Sequence, residues 1–131
     1  MGLVIKEKVI EYQILTWLET QRACGFPCIA WKNQSVGVYD PVKGVYRKAH
    51  SHFNRNGVSD ILGIWNGKFL AIEVKSMRGR LSEYQKSFIE DVTKNGGIAI
   101  VARSVEDVKH ALAVNDSVIQ KNTAERRSFF D

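Results

Sequence analysis

Asn66-Gly67, set between two apolar runs, is the feature of this chain that leaves the folding backbone least choice. In VSDILGIWNGKFLAIEVKS it predicts a two-residue type I′ turn, with both central residues at positive φ. Such a turn fixes the register of the strands it joins. Trp65 must face Lys68, Ile64 must face Phe69, Leu62 must face Ala71, and Asp60 must face Glu73. Lys75 lies two residues beyond Glu73 and projects from the same face. That face also carries Leu62, Ile64, Phe69 and Ala71, while Ile61, Leu70, Ile72 and Val74 line the other. With both faces apolar, the hairpin is expected to be central in a sheet and covered on each side.

The same register sets two carboxylates opposite each other at the end of a buried ribbon. Directly opposed side chains sit about 4.5–5.5 Å apart at Cβ, and like charges there are destabilising. At about 5 Å and an effective dielectric near 20, the repulsion is roughly 3 kcal/mol. Keeping the pair requires a shared proton, nearby cations or a divalent metal. Hard oxygen ligands on adjacent strands suit Mg²⁺, which takes one or two carboxylates and keeps several waters. Lys75 would then supply a mobile ammonium, able to orient an attacking water or stabilise developing negative charge. The plainer alternative leaves Asp60 and Glu73 solvated at a strand end, with Lys75 paired to one of them.

Around this hairpin the chain reads as alternating helices and strands. Val4 to Leu18 has the spacing of an amphipathic helix, broken by Gly25 and Pro27. CIAWKNQSVGVYD follows as strand, with Trp31, Asn33 and Ser35 on one face, as core edge or as substrate groove. Pro41 to Ser59 holds Lys43, Arg47, Lys48, Arg55, His50 and His52 and no acidic residue, and reads mostly as loop. The histidines read as backbone contacts or plain surface, not as metal ligands. Ser82 with Gln85 forms a capping-box pattern that opens a helix with a Phe88, Ile89, Val92 stripe, ended by Asn95-Gly96-Gly97. IAIVA is a buried strand, and Ser104 with Asp107 opens a helix to about Val114. Residues 115–131 stay ambiguous. At 131 residues one domain is expected over 1–131, with a core of about 3–114.

Composition narrows the class. Hydrophobic residues at 44% and charged residues at 25% suit a globular chain and argue against disorder. No apolar run approaches the roughly 20 residues of a membrane span, and the opening MGLVIKEKVI lacks a secretory signal. A cytoplasmic protein is therefore expected, with Cys24 and Cys28 as reduced thiols, too few for a zinc site or a disulfide framework. The net charge of +5 permits a polyanionic partner.

GVSDILG…FLAIEVKSMRGRLSEYQ resembles the PD-(D/E)xK nuclease signature, and specifically its VRR-NUC branch of stand-alone phage and bacterial proteins, similar to Holliday-junction resolvases. The matching residues are Gly57 and Asp60, Glu73 and Lys75, Gly79 to Ser82, and Gln85. The resemblance extends through IAIVARSVEDV and back to Glu11 on the first helix. Ser59 departs from it, standing where the broad superfamily motif has Pro.

What the resemblance implies is a restriction-endonuclease-like α/β core in αβββαβ order, with a mixed central sheet flanked by helices on both faces. It implies a catalytic set of Glu11, Asp60, Glu73, Lys75 and Gln85. Asp60, Glu73 and the Val74 backbone carbonyl would hold Mg²⁺, with Mn²⁺ able to substitute, and Glu11 would support the metal directly or through water. Gln85 could serve the site, cap its helix, or do both. Lys43, Arg47, Lys48, Arg55, Arg78 and Arg80 are the expected DNA contacts. The activity expected is Mg²⁺-dependent, structure-selective endonuclease cleavage of branched DNA such as four-way junctions, leaving 5′-phosphate and 3′-hydroxyl ends. A homodimer in a bacterial or phage-infected cell would present two matching sites. The alternatives are a catalytically silent nucleic-acid binder of the same fold and a restriction-type nuclease of linear duplex.

Overall fold

The computed structural model describes residues 4–34, 38–47 and 52–130, with backbone alone for Val38, Arg47 and 119–130. The turn at Asn66-Gly67 forms as its sequence predicts, with φ of 49° and 82°. It joins β4 (Ile61–Trp65) to β5 (Lys68–Val74) in the expected register, Trp65 facing Lys68 and Leu62 facing Ala71. β1 (Cys28–Lys32) pairs antiparallel with β4, and β6 (Ile98–Ala102) pairs parallel with β5. The order β1-β4-β5-β6 makes the hairpin central in a mixed four-stranded sheet.

Helices lie on both faces, as expected of the class. α1 (Glu7–Ala23) buries Ile10, Ile14 and Leu18 against Ile61, Leu70, Ile72 and Val74. α3 (Val105–Phe130) adds Val108 and Leu112 to the same core. Each such side chain taken from water contributes roughly 1.5–3 kcal/mol before the entropy of ordering it. α2 (Glu83–Lys94) crosses from β5 to β6 on the other face, where Gln85 meets Glu73. Ser82 caps it with the full reciprocal box that the sequence pattern predicts.

Three elements differ from the sequence reading. The second face of the hairpin is only half covered: Ala71 and Glu73 are buried beside α2, but Ile64 is 45% and Phe69 42% exposed. One helix cannot span four strands, so the β1–β4 half, with Ile29 and Trp31, stays open. The supposed strand of residues 28–40 ends at Lys32, and β2 (Val38–Asp40) turns through Pro41–Gly44 to pair with β3 (Val45–Arg47) as a separate ribbon. Part of the expected loop is thus a strand, because Asp40 closes a tight turn by accepting the Val42 and Lys43 amides. The last helix also runs well past Val114, anchored where the Trp65 indole donates to Asp116 at 3.1 Å.

Candidate active site

The site lies where β4 begins and β5 ends, on the α2 face. Asp60 just precedes β4, and its Oδ2 accepts the Val74 amide at 2.8 Å, which fixes the carboxyl against the opposite strand. Glu73 is 2% exposed. Its Oε1 accepts from Gln85 Nε2 at 2.9 Å and lies 3.9 Å from Lys75 Nζ. Its Oε2 is buried and finds no donor among the described residues. Asp60 is close enough to Glu73 for its charge to bear on that carboxyl.

Burial is the main reason the Glu73 carboxyl is pushed up from 4.5 to about 8, and the facing Asp60 adds to it through charge and hydrogen bond. Lys75 pulls the other way, and Glu7 adds a smaller upward push. In the metal-free protein the Glu73 carboxyl is therefore held mostly neutral near pH 7. A buried, unpartnered carboxylate oxygen and a raised carboxyl pKa are what a dicarboxylate cation site presents without its cation. The donor set fits Mg²⁺ or Mn²⁺ in ligand type. Among the described residues no cluster of three His, Cys, Asp or Glu side chains completes a cage, so backbone oxygen and water would have to fill the remaining positions.

Gln85 reaches the site because its helix starts there. The same side chain that donates to Glu73 accepts the Ser82 amide through Oε1 at 2.8 Å, so cap and site use opposite ends of one amide. The helix start is in turn pressed onto Gly57. With φ of 77°, a Cβ at Gly57 would fall 2.3 Å from the Tyr84 carbonyl carbon and 2.6 Å from the Gln85 amide nitrogen. Glycine is the residue that permits this approach.

Two residues that the sequence did not single out complete the surroundings. Glu7, in the first turn of α1, accepts the Ser76 amide through Oε1 at 3.3 Å. Arg103, just past β6, donates to the Ser76 carbonyl and, at 2.9 Å, to the Gly79 carbonyl. Together they hold the 76–79 turn across the Lys75 stem: a Cβ on Gly79 would lie 3.2 Å from Lys75 Cδ and 3.3 Å from Glu7 Oε1. Of the first-helix carboxylates, Glu7 is the one beside Ser76. Glu11, one turn further along, pairs with Lys32 at 3.1 Å.

The basic residues are dispersed. Lys43 is exposed at the β2–β3 turn, and Arg78 and Arg80 are exposed after β5. Arg55 pairs with Asp91 at 2.6 Å, contacts Ser87 and lies over the Phe88 ring, so much of its charge is met within the protein. Arg47 lies on β3, while Lys48, His50 and Ser35 fall outside the described residues. His52 is exposed in a turn. Trp31 lies on the half-open sheet face, and the Asn33 amide donates to the Asp60 carbonyl at 2.7 Å. Both thiols are free, with Cys28 Sγ against the Leu18 carbonyl. No helix among the described residues is long and apolar enough to cross a membrane.

No curated protein matches the chain. The model of the VRR-NUC domain matches residues 5–106, which span α1, the whole sheet, α2 and the start of α3. With that stretch covering most of the 131 residues, the chain belongs to the VRR-NUC domain family, a membership that implies nuclease-type chemistry on DNA.

Proposed function

We propose that this chain is a Mg²⁺-dependent, structure-selective DNA endonuclease that hydrolyses phosphodiester bonds of branched DNA, four-way junctions included, and works as a homodimer. The observation that carries the reading is the Asp60–Glu73 pair, with its buried, donor-free Glu73 oxygen and Lys75 beside it. Asp60, Glu73 and the Val74 carbonyl would hold the Mg²⁺. Bound there, the ion supplies Lewis acidity to the phosphoryl oxygen and lowers the pKa of a coordinated water.

The chain's own residues do the rest. Asp60, clamped by the Val74 amide, presents its carboxylate without rotamer search. Gln85 orients Glu73 so that one oxygen stays committed to the amide and the other faces the site. Lys75, 13% exposed in its side chain and bracketed by the 76–79 turn, keeps its ammonium at the mouth, where it stabilises charge building on the attacked phosphate. Glu11 enters as the partner of Lys32 at the site's edge. Lys43, Arg78 and Arg80 meet phosphates on either side of the scissile bond. A two-fold pair of chains presents two sites for symmetric cuts, and the half-open apolar sheet face gives association a driving force.

The experiment is cleavage of end-labelled four-way, flap and linear duplex DNA with Mg²⁺, with Mn²⁺ and with EDTA. Wild-type protein should cut the branched substrates only with metal, and Lys75→Ala should lose at least 100-fold in rate. Binding with no metal-dependent cutting on any substrate would instead make the chain a silent binder. Cuts at discrete sites in linear DNA would make it a restriction-type enzyme.

A further inference from the structure

The chain leaves the sheet after β1 and returns at Asp60, and the two points are tied by the Asn33–Asp60 backbone hydrogen bond. Within this excursion stands the β2–β3 ribbon, a separate two-stranded sheet among the described residues. Its turn is locked by Asp40, whose side chain accepts two amides and whose carbonyl accepts the Gly44 amide at 2.8 Å. Tyr39 and Tyr46 face each other across it, ring centroids 5.2 Å apart and tilted by 58°. They are 53% and 66% exposed, so their ring faces are not spent on a core. Val38 is five residue steps from Asn33, which keeps the ribbon's root within roughly 18 Å of the chain point bonded to Asp60. That is the contour of about five nucleotides at 3.4 Å each.

Charge selects the occupant. From Asn33 to Ser59 the chain holds Lys43, Arg47, Lys48 and Arg55 against the single acid Asp40. A second copy brings the same cations to the contact, whereas a polyanion neutralises them. Tyrosine faces add what phosphate contacts lack, a stacking surface for bases. In a paired duplex each base face is covered by its neighbours and only edges are offered in the grooves. A base that is unpaired has its face free, and stacking on an aromatic ring is tolerant of sequence.

We propose that the Tyr39–Tyr46 ribbon is a stacking platform for unpaired bases close to the scissile phosphate, so that this chain favours DNA carrying unpaired nucleotides at a branch over fully paired duplex. The proposal deepens the nuclease reading above and rests on DNA being the substrate.

The test uses the full-length chain and two oligonucleotide forks of identical sequence, one with a splayed arm containing 2-aminopurine, one with that arm paired. Binding is followed in EDTA at fixed salt, so cleavage does not enter. Wild-type protein should quench the 2-aminopurine. Tyr39→Leu/Tyr46→Leu, which keeps the ribbon apolar but removes both π-faces, should lose the quench and about tenfold in affinity for the splayed fork alone. Tyr39→Phe/Tyr46→Phe should behave as wild type. Equal losses on both forks, or no loss on the splayed one, would overturn the proposal. A lowered sedimentation coefficient for the Leu pair, without fork dependence, would do so as well, by making the ribbon a protein contact. Failure of the nuclease reading shows separately, as absent Mg²⁺-dependent cutting with the quench intact.

Discussion

Asp60, just before β4, and Glu73, on β5, meet at one end of the hairpin, Gln85 and Lys75 both approach Glu73 Oε1, and burial beside Asp60 raises the Glu73 carboxyl well above its ordinary pKa. A carboxyl group raised in this way ties stability to pH. The folded state holds the Glu73 proton up to about pH 8, while the unfolded chain releases it near 4.5. The proton's contribution is therefore complete below about pH 4.5 and is lost as pH rises toward 8. Metal-free wild-type protein should show a falling Tm relative to Glu73→Gln between pH 5 and 8. Parallel Tm profiles for the two proteins would show that Glu73 titrates normally.

Ser82 and Gln85 separate capping from catalysis. Ser82→Ala removes the acceptor for the Gln85 amide and should cost about 1 kcal/mol of stability with kcat nearly unchanged. Gln85→Glu keeps an acceptor for the Ser82 amide but sets a third carboxylate against Glu73. Its Tm should stay close to wild type while kcat falls at least tenfold. Denaturation and single-turnover cleavage, measured on both variants, check the split. Matching losses of kcat in the two would show that Gln85 acts only as a cap.

Arg103 bridges two carbonyls of the turn that lies over Lys75. Arg103→Ala leaves them without their charged donor and should cost about 2–3 kcal/mol. Hydrogen exchange should quicken at residues 76–79 and kcat should drop with little change in KM. Arg103→Lys, a point donor unable to fork, should recover stability more than rate. Unchanged exchange in the turn would refute the positioning role.

The sheet centre and the paired acids were legible because one two-residue turn dictates a register, and register decides which side chains share a face. Gln85 was legible for a similar reason: a capping box is a local pattern, and its helix position follows from it. Glu7 was not, because which helical carboxylate meets the end of β5 depends on how far α1 slides before Ile10, Ile14 and Leu18 seat in the core. Arg103 was hidden likewise, since its reach to Ser76 follows from the parallel pairing of β5 and β6 through a crossover. β3 does not stand out in the sequence because Pro41 and Gly44 mark the turn before it as loop, and the Asp40 turn that holds the ribbon needs only three residues a side.

Titration calorimetry of Mg²⁺ into the protein at pH 7, in two buffers of different ionisation enthalpy, tests the exchange of proton for cation at Asp60–Glu73 most directly. Binding should release close to one proton per site, and Asp60→Asn and Glu73→Gln should each abolish both the binding heat and the buffer dependence. Undiminished Mg²⁺ binding in those variants, or binding by wild type with no proton released, would contradict it.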